Sequence, residues 1–170
     1  MQGWLTGKRA RLVSPPPAVR AAIVDRCATV EDDVAACDIL VHAAPAPPYV
    51  AAHELQHAAW RATLDLGLDQ RFLLAKAFAA GCRARGSGGA IVFIGAPEQA
   101  LGADHAAAGG ALGNLVKTLG VEWARDGIRV NCIQTLDASA TLGRLAAYLV
   151  SDYGAYITGA VLGVSQGEGS

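Results

Sequence analysis

Short runs of branched apolar residues recur along this chain, and longer helix-type stretches separate them. Arg9–Val13, Ile39–Ala43, Ala90–Ile94, Ile128–Ile133 and Ala160–Val164 each carry too few residues for a helix. They are rich in Val, Ile and Leu, which suggests strands covered on both faces, as in a parallel sheet. Parallel neighbours need crossover connections, and the stretches between these runs have helical length. The alternation predicts an α/β fold: a Rossmann-like, doubly wound parallel sheet of about five strands with helices on both faces.

The predicted helices follow from punctuation. The first runs from Val50 or Ala51 to Arg83, with a break near Gly67, because Pro47-Pro48 bars helix just upstream. The second covers His105–Arg125 and stops at Asp126-Gly127. The third covers Leu142–Ser151. A shorter helix is expected near Val30–Ala36, with Thr29 as its N-cap. The last residues, Gln166–Ser170, are expected to form a loose tail.

The 170 residues suit one domain, 1–170. A hydrophobic share of 52% against 17% charged is high for a soluble domain and points to apolar surface buried against another subunit. A net charge of −1 gives no footprint for nucleic acid or an anionic membrane. No apolar run reaches the ~18 residues of a spanning helix. The N-terminus is too charged for a secretory signal, so a cytoplasmic protein is expected. Cys27, Cys37, Cys82 and Cys132 lack CxxC spacing and read as reduced core residues.

Motifs in these elements carry a family resemblance. Gly127–Ile133 (GIRVNCI) resembles the strand after the active-site helix of short-chain dehydrogenases/reductases, and Leu115–Ala124 (LVKTLGVEWA) resembles the end of that helix. Gly88–Ile94 is similar to the strand carrying the family's catalytic serine. Leu5–Lys8 resembles the approach to the first strand, Asp38–Val41 the fourth, and Ser151-Asp152 with Tyr156–Gly159 the approach to the last. Each motif is weak alone; the ordered set spans nearly the whole chain.

What the resemblance implies can be taken position by position. The family's first turn uses glycines to bring the backbone against the cofactor's phosphates. Here those positions are Pro15, Val19 and Ala21. The family's Asn-Asn-Ala-Gly becomes His42–Pro45, and an adenine-contacting aspartate becomes Ala28. The tyrosine acid/base position is His105, and the lysine position four residues on is Gly109. The serine position is Ala96, and the asparagine of the preceding helix is Gly67. The family's second and third strands and its substrate lid are cut short.

The two long helices that form the family's four-helix interface are kept. The implied reading is a subunit that is no enzyme on its own and holds no cofactor. It would assemble with an active family paralogue, as an α2β2 heterotetramer, into a dehydrogenase of hydroxyacyl-CoA type with NAD in the partner. Such subunits include one serving anaerobic toluene breakdown, although no residue here encodes an aromatic acyl-CoA. Interface candidates are Trp60, Leu64, Phe72, Leu112, Leu115, Leu119, Trp123 and Tyr156.

Two other readings start from residues. His53-Glu-Leu-Gln-His57 matches HExxH, which on a helix places two histidines around zinc with a glutamate base. A third ligand is missing nearby, which makes a zinc hydrolase the weaker reading. A stand-alone binding or regulatory scaffold is the other alternative. His105 could act as a substitute acid/base, since its ordinary pKa lies near ~6.5. Lys76, Lys117 and Arg129 are expected on solvated or interface surfaces, and Pro45–Pro48 in a stiff loop.

Overall fold

The strands anticipated from apolar runs pair side by side in a computed structural model that describes residues 3–44, 48–95, 102–136 and 138–164. They are β1 (Arg9–Val13), β3 (Ile39–Ala43), β4 (Gly89–Gly95), β5 (Ile128–Gln134) and β6 (Val161–Gly163). A sixth, β2 (Thr29–Val30), has two residues, too short for any periodicity to show. All pairs are parallel, in the order β2-β1-β3-β4-β5-β6. The sheet is therefore Rossmann-like, with six strands instead of about five.

Five helices cover it: α1 (Pro17–Val24), α2 (His57–Leu64), α3 (Gln70–Arg85), α4 (Ala103–Glu122) and α5 (Ala140–Val150). On one face Val19 and Ile23 of α1 pack with Leu142, Ala146 and Leu149 of α5 against Val41, Val92 and Ile133. On the other, Phe78 and Cys82 of α3 pack with Leu112, Val116 and Leu119 of α4 against Leu40, Ile91, Phe93 and Val130. The sheet is doubly wound because its strands are apolar on both sides and each side needs a lid.

Several boundaries depart from expectation. α1 was not anticipated; Pro17 sits in its first turn, where a fixed φ favours helix and the missing N–H costs nothing. The helix expected at Val30–Ala36 is a 3₁₀ turn over Val34–Ala36. Its cap is Asp33, whose side chain accepts from the Ala35 N–H at 3.0 Å, while Thr29 belongs to β2. The long helix begins at His57, six residues after Ala51, and does not break at Gly67. A π turn over Asp65–Asp69 joins α2 to α3 and carries Gly67. Cys37, Cys82 and Cys132 are buried free thiols, but Cys27 is exposed at φ 71°. Burial pushes the Cys37 thiol up to about 11. The expected tail, and Pro45–Pro47 of the expected loop, lie outside the described residues.

The most recognisable motif has a structural job. Arg129, expected on a surface, donates to the carbonyls of Leu149 (2.5 Å), Gly154 (2.8 Å) and Ser151 (2.9 Å). Asn131 donates to the Ile157 carbonyl at 2.8 Å and accepts from the Ala160 N–H at 3.1 Å. These bonds pin β6 and its approach to β5. Gly127 turns the chain into β5 at φ 69°, a conformation that favours glycine. No helix among the described residues is long and apolar enough to cross a membrane.

Close approach at Gly120 seats α4 on the segment entering β6. A Cβ there would lie 2.6 Å from the Gly159 nitrogen and 2.7 Å from its Cα, so backbone would have to move. Gly120→Ala is expected to destabilise by about 2–4 kcal/mol despite its better helix propensity, read from urea unfolding midpoints.

Candidate functional site

The carboxyl ends of β3, β4 and β5 open into a cavity between the sheet, α2 and α4, of about 270 Å³. Residue types at these ends decide its character. Ala44 follows β3, and Gly95 and Gln134 end their strands. α2 and the π turn contribute Ala59, Thr63, Leu66 and Gly67, and α4 contributes Asp104, His105, Ala108, Gly109 and Leu112. Ligands of open α/β sheets bind in this region, outside the carboxyl edge.

Three of the four positions implied by the resemblance meet here: Gly67, His105 and Gly109 all line the cavity. Ala96 falls outside the described residues. His105 is half-buried on the first turn of α4. Gly109 lies one helical turn later and presents no side chain. Gly67 lets α4 come close, since a Cβ there would lie 2.9 Å from the Ala108 Cβ.

Polar groups in and beside the cavity are few. Thr63 Oγ1 donates to Asp104 Oδ2 at 2.7 Å, a buried bond between α2 and α4. Arg71, on the first turn of α3, is 2% exposed, and its Nη2 donates to the Ile94 carbonyl at 2.7 Å. His42 is buried in β3 beside Phe93, with ring centroids 6.5 Å apart, and its Nδ1 has no hydrogen-bond partner among the described residues. Burial, and then the nearby Arg71 charge, pulls the His42 pKa down to about 4. The sequence reading missed Arg71. Its signal was position: it stands four residues after Gly67, on the same helical face.

The first turn can be tested against the dinucleotide that the family holds there. Pro16 caps α1 and Pro17 is its first residue, so neither has an N–H to offer. The Val19 and Arg20 amides both donate to the Pro16 carbonyl, at 2.9 and 3.1 Å. That leaves the Ala18 amide from the first turn. The Val19 side chain is fully buried, Ala21 is exposed, and Ala28 is buried without a polar group. These residues do not fit a pyrophosphate.

HELQH does not form a helical metal face. His53 lies in a turn before α2, its side chain 83% exposed and 3.8 Å from Glu54, and His57 is the first residue of α2. Among the described residues no three His, Cys, Asp or Glu side chains are grouped to hold a metal.

The interface candidates divide. Leu112, Leu119 and Trp123 are 3–4% exposed and fill this chain's own core, because α4 turns its apolar face to the sheet. Trp60, Leu64 and Leu115 are half-buried. Phe72 and Tyr156 are exposed, at 40% and 100%. Leu66, Leu73 and Val121, not singled out from sequence, are also exposed.

Comparison with known proteins agrees with this architecture. Residues 18–137 match the family described as Enoyl-(Acyl carrier protein) reductase, adh_short_C2. The chain belongs to the short-chain dehydrogenase/reductase family. It is 32% identical to cis-4-hydroxycyclohexanecarboxylate dehydrogenase of Sinomonas cyclohexanicum, across 86% of this chain and 70% of that one. It is 28% identical to galactitol 2-dehydrogenase (L-tagatose-forming) of Cereibacter sphaeroides, across 86% and 71%. The fold matches a short-chain type dehydrogenase/reductase from Mycobacterium marinum with a TM-score of 0.84 at 19% identity, covering 94% of each chain. These relatives correct the expectation that the chain is no enzyme: they are named dehydrogenases, and they place it among oxidoreductases.

The buried His42 generates a pH prediction. In the unfolded chain it takes up a proton near its ordinary 6.5, whereas the folded state resists protonation until about 4. Stability is therefore complete above about 6.5 and falls as pH drops toward 4. A loss of about 2 kcal/mol between pH 7 and pH 5 is expected from this group. Urea unfolding at both pH values should show it, and His42→Asn should flatten the dependence.

Proposed function

We propose that this chain is one subunit of an NAD-dependent oxidoreductase oligomer of the short-chain dehydrogenase/reductase family. It pairs through the outer faces of α3 and α4 with a full-length family member that holds the nicotinamide cofactor, in an α2β2 arrangement. A cytoplasmic location goes with this reading. The observation that carries it is the outer face of α3. Phe72 and Leu73 stand 40% and 60% exposed there, beside exposed Lys76 and Ala80, and Val121 on α4 is 79% exposed. Large apolar side chains grouped on a helix face mark a contact surface. The proline-bearing first turn supports the assignment of the cofactor to the partner.

Co-expression with a full-length short-chain dehydrogenase from the same genome tests this directly. The wild-type chain is expected to co-purify as a complex of about four subunits by light scattering. Leu73→Glu, which places a charge in the contact without touching the core, is expected to weaken association by at least about tenfold, or 1.4 kcal/mol. Its thermal unfolding should be unchanged. A wild-type chain that stays a soluble monomer beside its candidate partner, or that alone binds NAD(H) at micromolar concentration, would overturn the reading.

A further inference from the structure

The cavity wall holds a buried charge. Arg71 is 98% buried by its 2% exposure, and it lines the cavity. Nη2 is used by the Ile94 carbonyl, and the guanidinium carbon stands 5.8 Å from the Phe93 ring centroid. Nε is buried with no hydrogen-bond partner among the described residues. Gly95 puts no side chain over Nη1; even an added Cβ would stay 3.5 Å away.

Arg71 stands in no ion pair with a carboxylate among the described residues. Their ion pairs all involve other cations. Asp104 lines the same cavity on the α4 side, its carboxylate held by Thr63 and not in ion-pair contact with Arg71. Two further titratable groups bear on this charge: His42 is neutral at pH 7, and Cys132 favours the charged guanidinium. Burial lowers the Arg71 pKa to about 10, which leaves it cationic at pH 7. A buried charge without a partner is costly, and an entering anion removes that cost. The guanidinium fork suits a carboxylate. Val50, Leu55, Ala59, Leu66, Ala108 and Leu112 make much of the remaining wall apolar, with Thr63, Asp104, His105 and Gln134 as its polar members. A volume of about 270 Å³ falls just short of drug-sized pockets, so it suits one small ring or short chain and not a nucleotide.

We propose that this cavity binds a small apolar monocarboxylic acid, with its carboxylate on Arg71 and its hydrocarbon body between α2 and α4. The residues that carry this reading all belong to this chain, so it does not rest on the partner subunit proposed above.

Calorimetric titration of the purified full chain tests it with three probes: cyclohexanecarboxylate, the neutral cyclohexanecarboxamide, and inorganic phosphate. The acid is expected to bind at least about tenfold more tightly than the amide, and phosphate not to bind. Arg71→Met keeps the bulk and removes the charge. It should bring the acid down to the affinity of the amide and leave the amide within about twofold. Equal binding of acid and amide to the wild-type chain, no binding of the acid, or an Arg71→Met chain that still prefers the acid would each overturn the proposal. So would phosphate binding as tightly as the acid, because the apolar wall would then contribute nothing. If Arg71→Met does not fold, the comparison of probes on the wild-type chain decides the matter, and Arg71→Lys should retain a preference for the acid.

Discussion

Burial of β4 on both faces is the constraint on which the rest of this structure depends. Its neighbours β3 and β5 are parallel to it, and five of its seven residues are buried. A parallel sheet of this kind cannot leave either face in water. Ile91 and Phe93 therefore demand α3 and α4 on one side, and Ala90, Val92 and Ile94 demand α1 and α5 on the other. Once the faces are closed, the carboxyl edge remains as the place for a cavity. The cavity appears there.

That edge shows how a shared fold can serve different contacts. Gly67, His105 and Gly109 bring the family's working positions to one cavity wall, and two of the three present no side chain. The space left open is faced by Arg71, which the α2–α3 helix delivers to the end of β4. The first turn has changed in the opposite sense, since Pro16 and Pro17 remove the donors that a pyrophosphate needs. Loss of donors at one end of the edge and a buried donor at the middle belong to the same sheet.

Much of this was legible from residue order. Strand positions followed from branched apolar runs, because burial on both faces leaves no room for polar alternation. The ordered motifs carried the family, and Gly127–Ile133 marked β5 because Arg129 and Asn131 must reach the carbonyls that hold β6. Two elements escaped. β2 is too short for a pattern, and α1 hides behind prolines that read as a turn but also start helices. HELQH, ranked from sequence as the weaker reading, matched in spacing alone: helix begins at His57, so its residues do not share a helical face. Leu112, Leu119 and Trp123 looked like contact residues because an apolar helix stripe has the same spacing whether it faces a sheet or a partner.

The sequence by itself determined the doubly wound parallel architecture, the family, and the composition of the first turn, because each rests on local pattern or on a residue's own chemistry. Proline lacks an N–H wherever it stands. Tertiary structure decided which stripe faces inward, which leaves Phe72 and Leu73 exposed, and it decided the environment of Arg71. On a helical wheel Arg71 is one basic residue among several. Its burial arises because α3 packs against the end of β4, where its guanidinium meets the Ile94 carbonyl and the Phe93 ring. Burial is a property of everything that surrounds a side chain, and no position in a chain carries it alone.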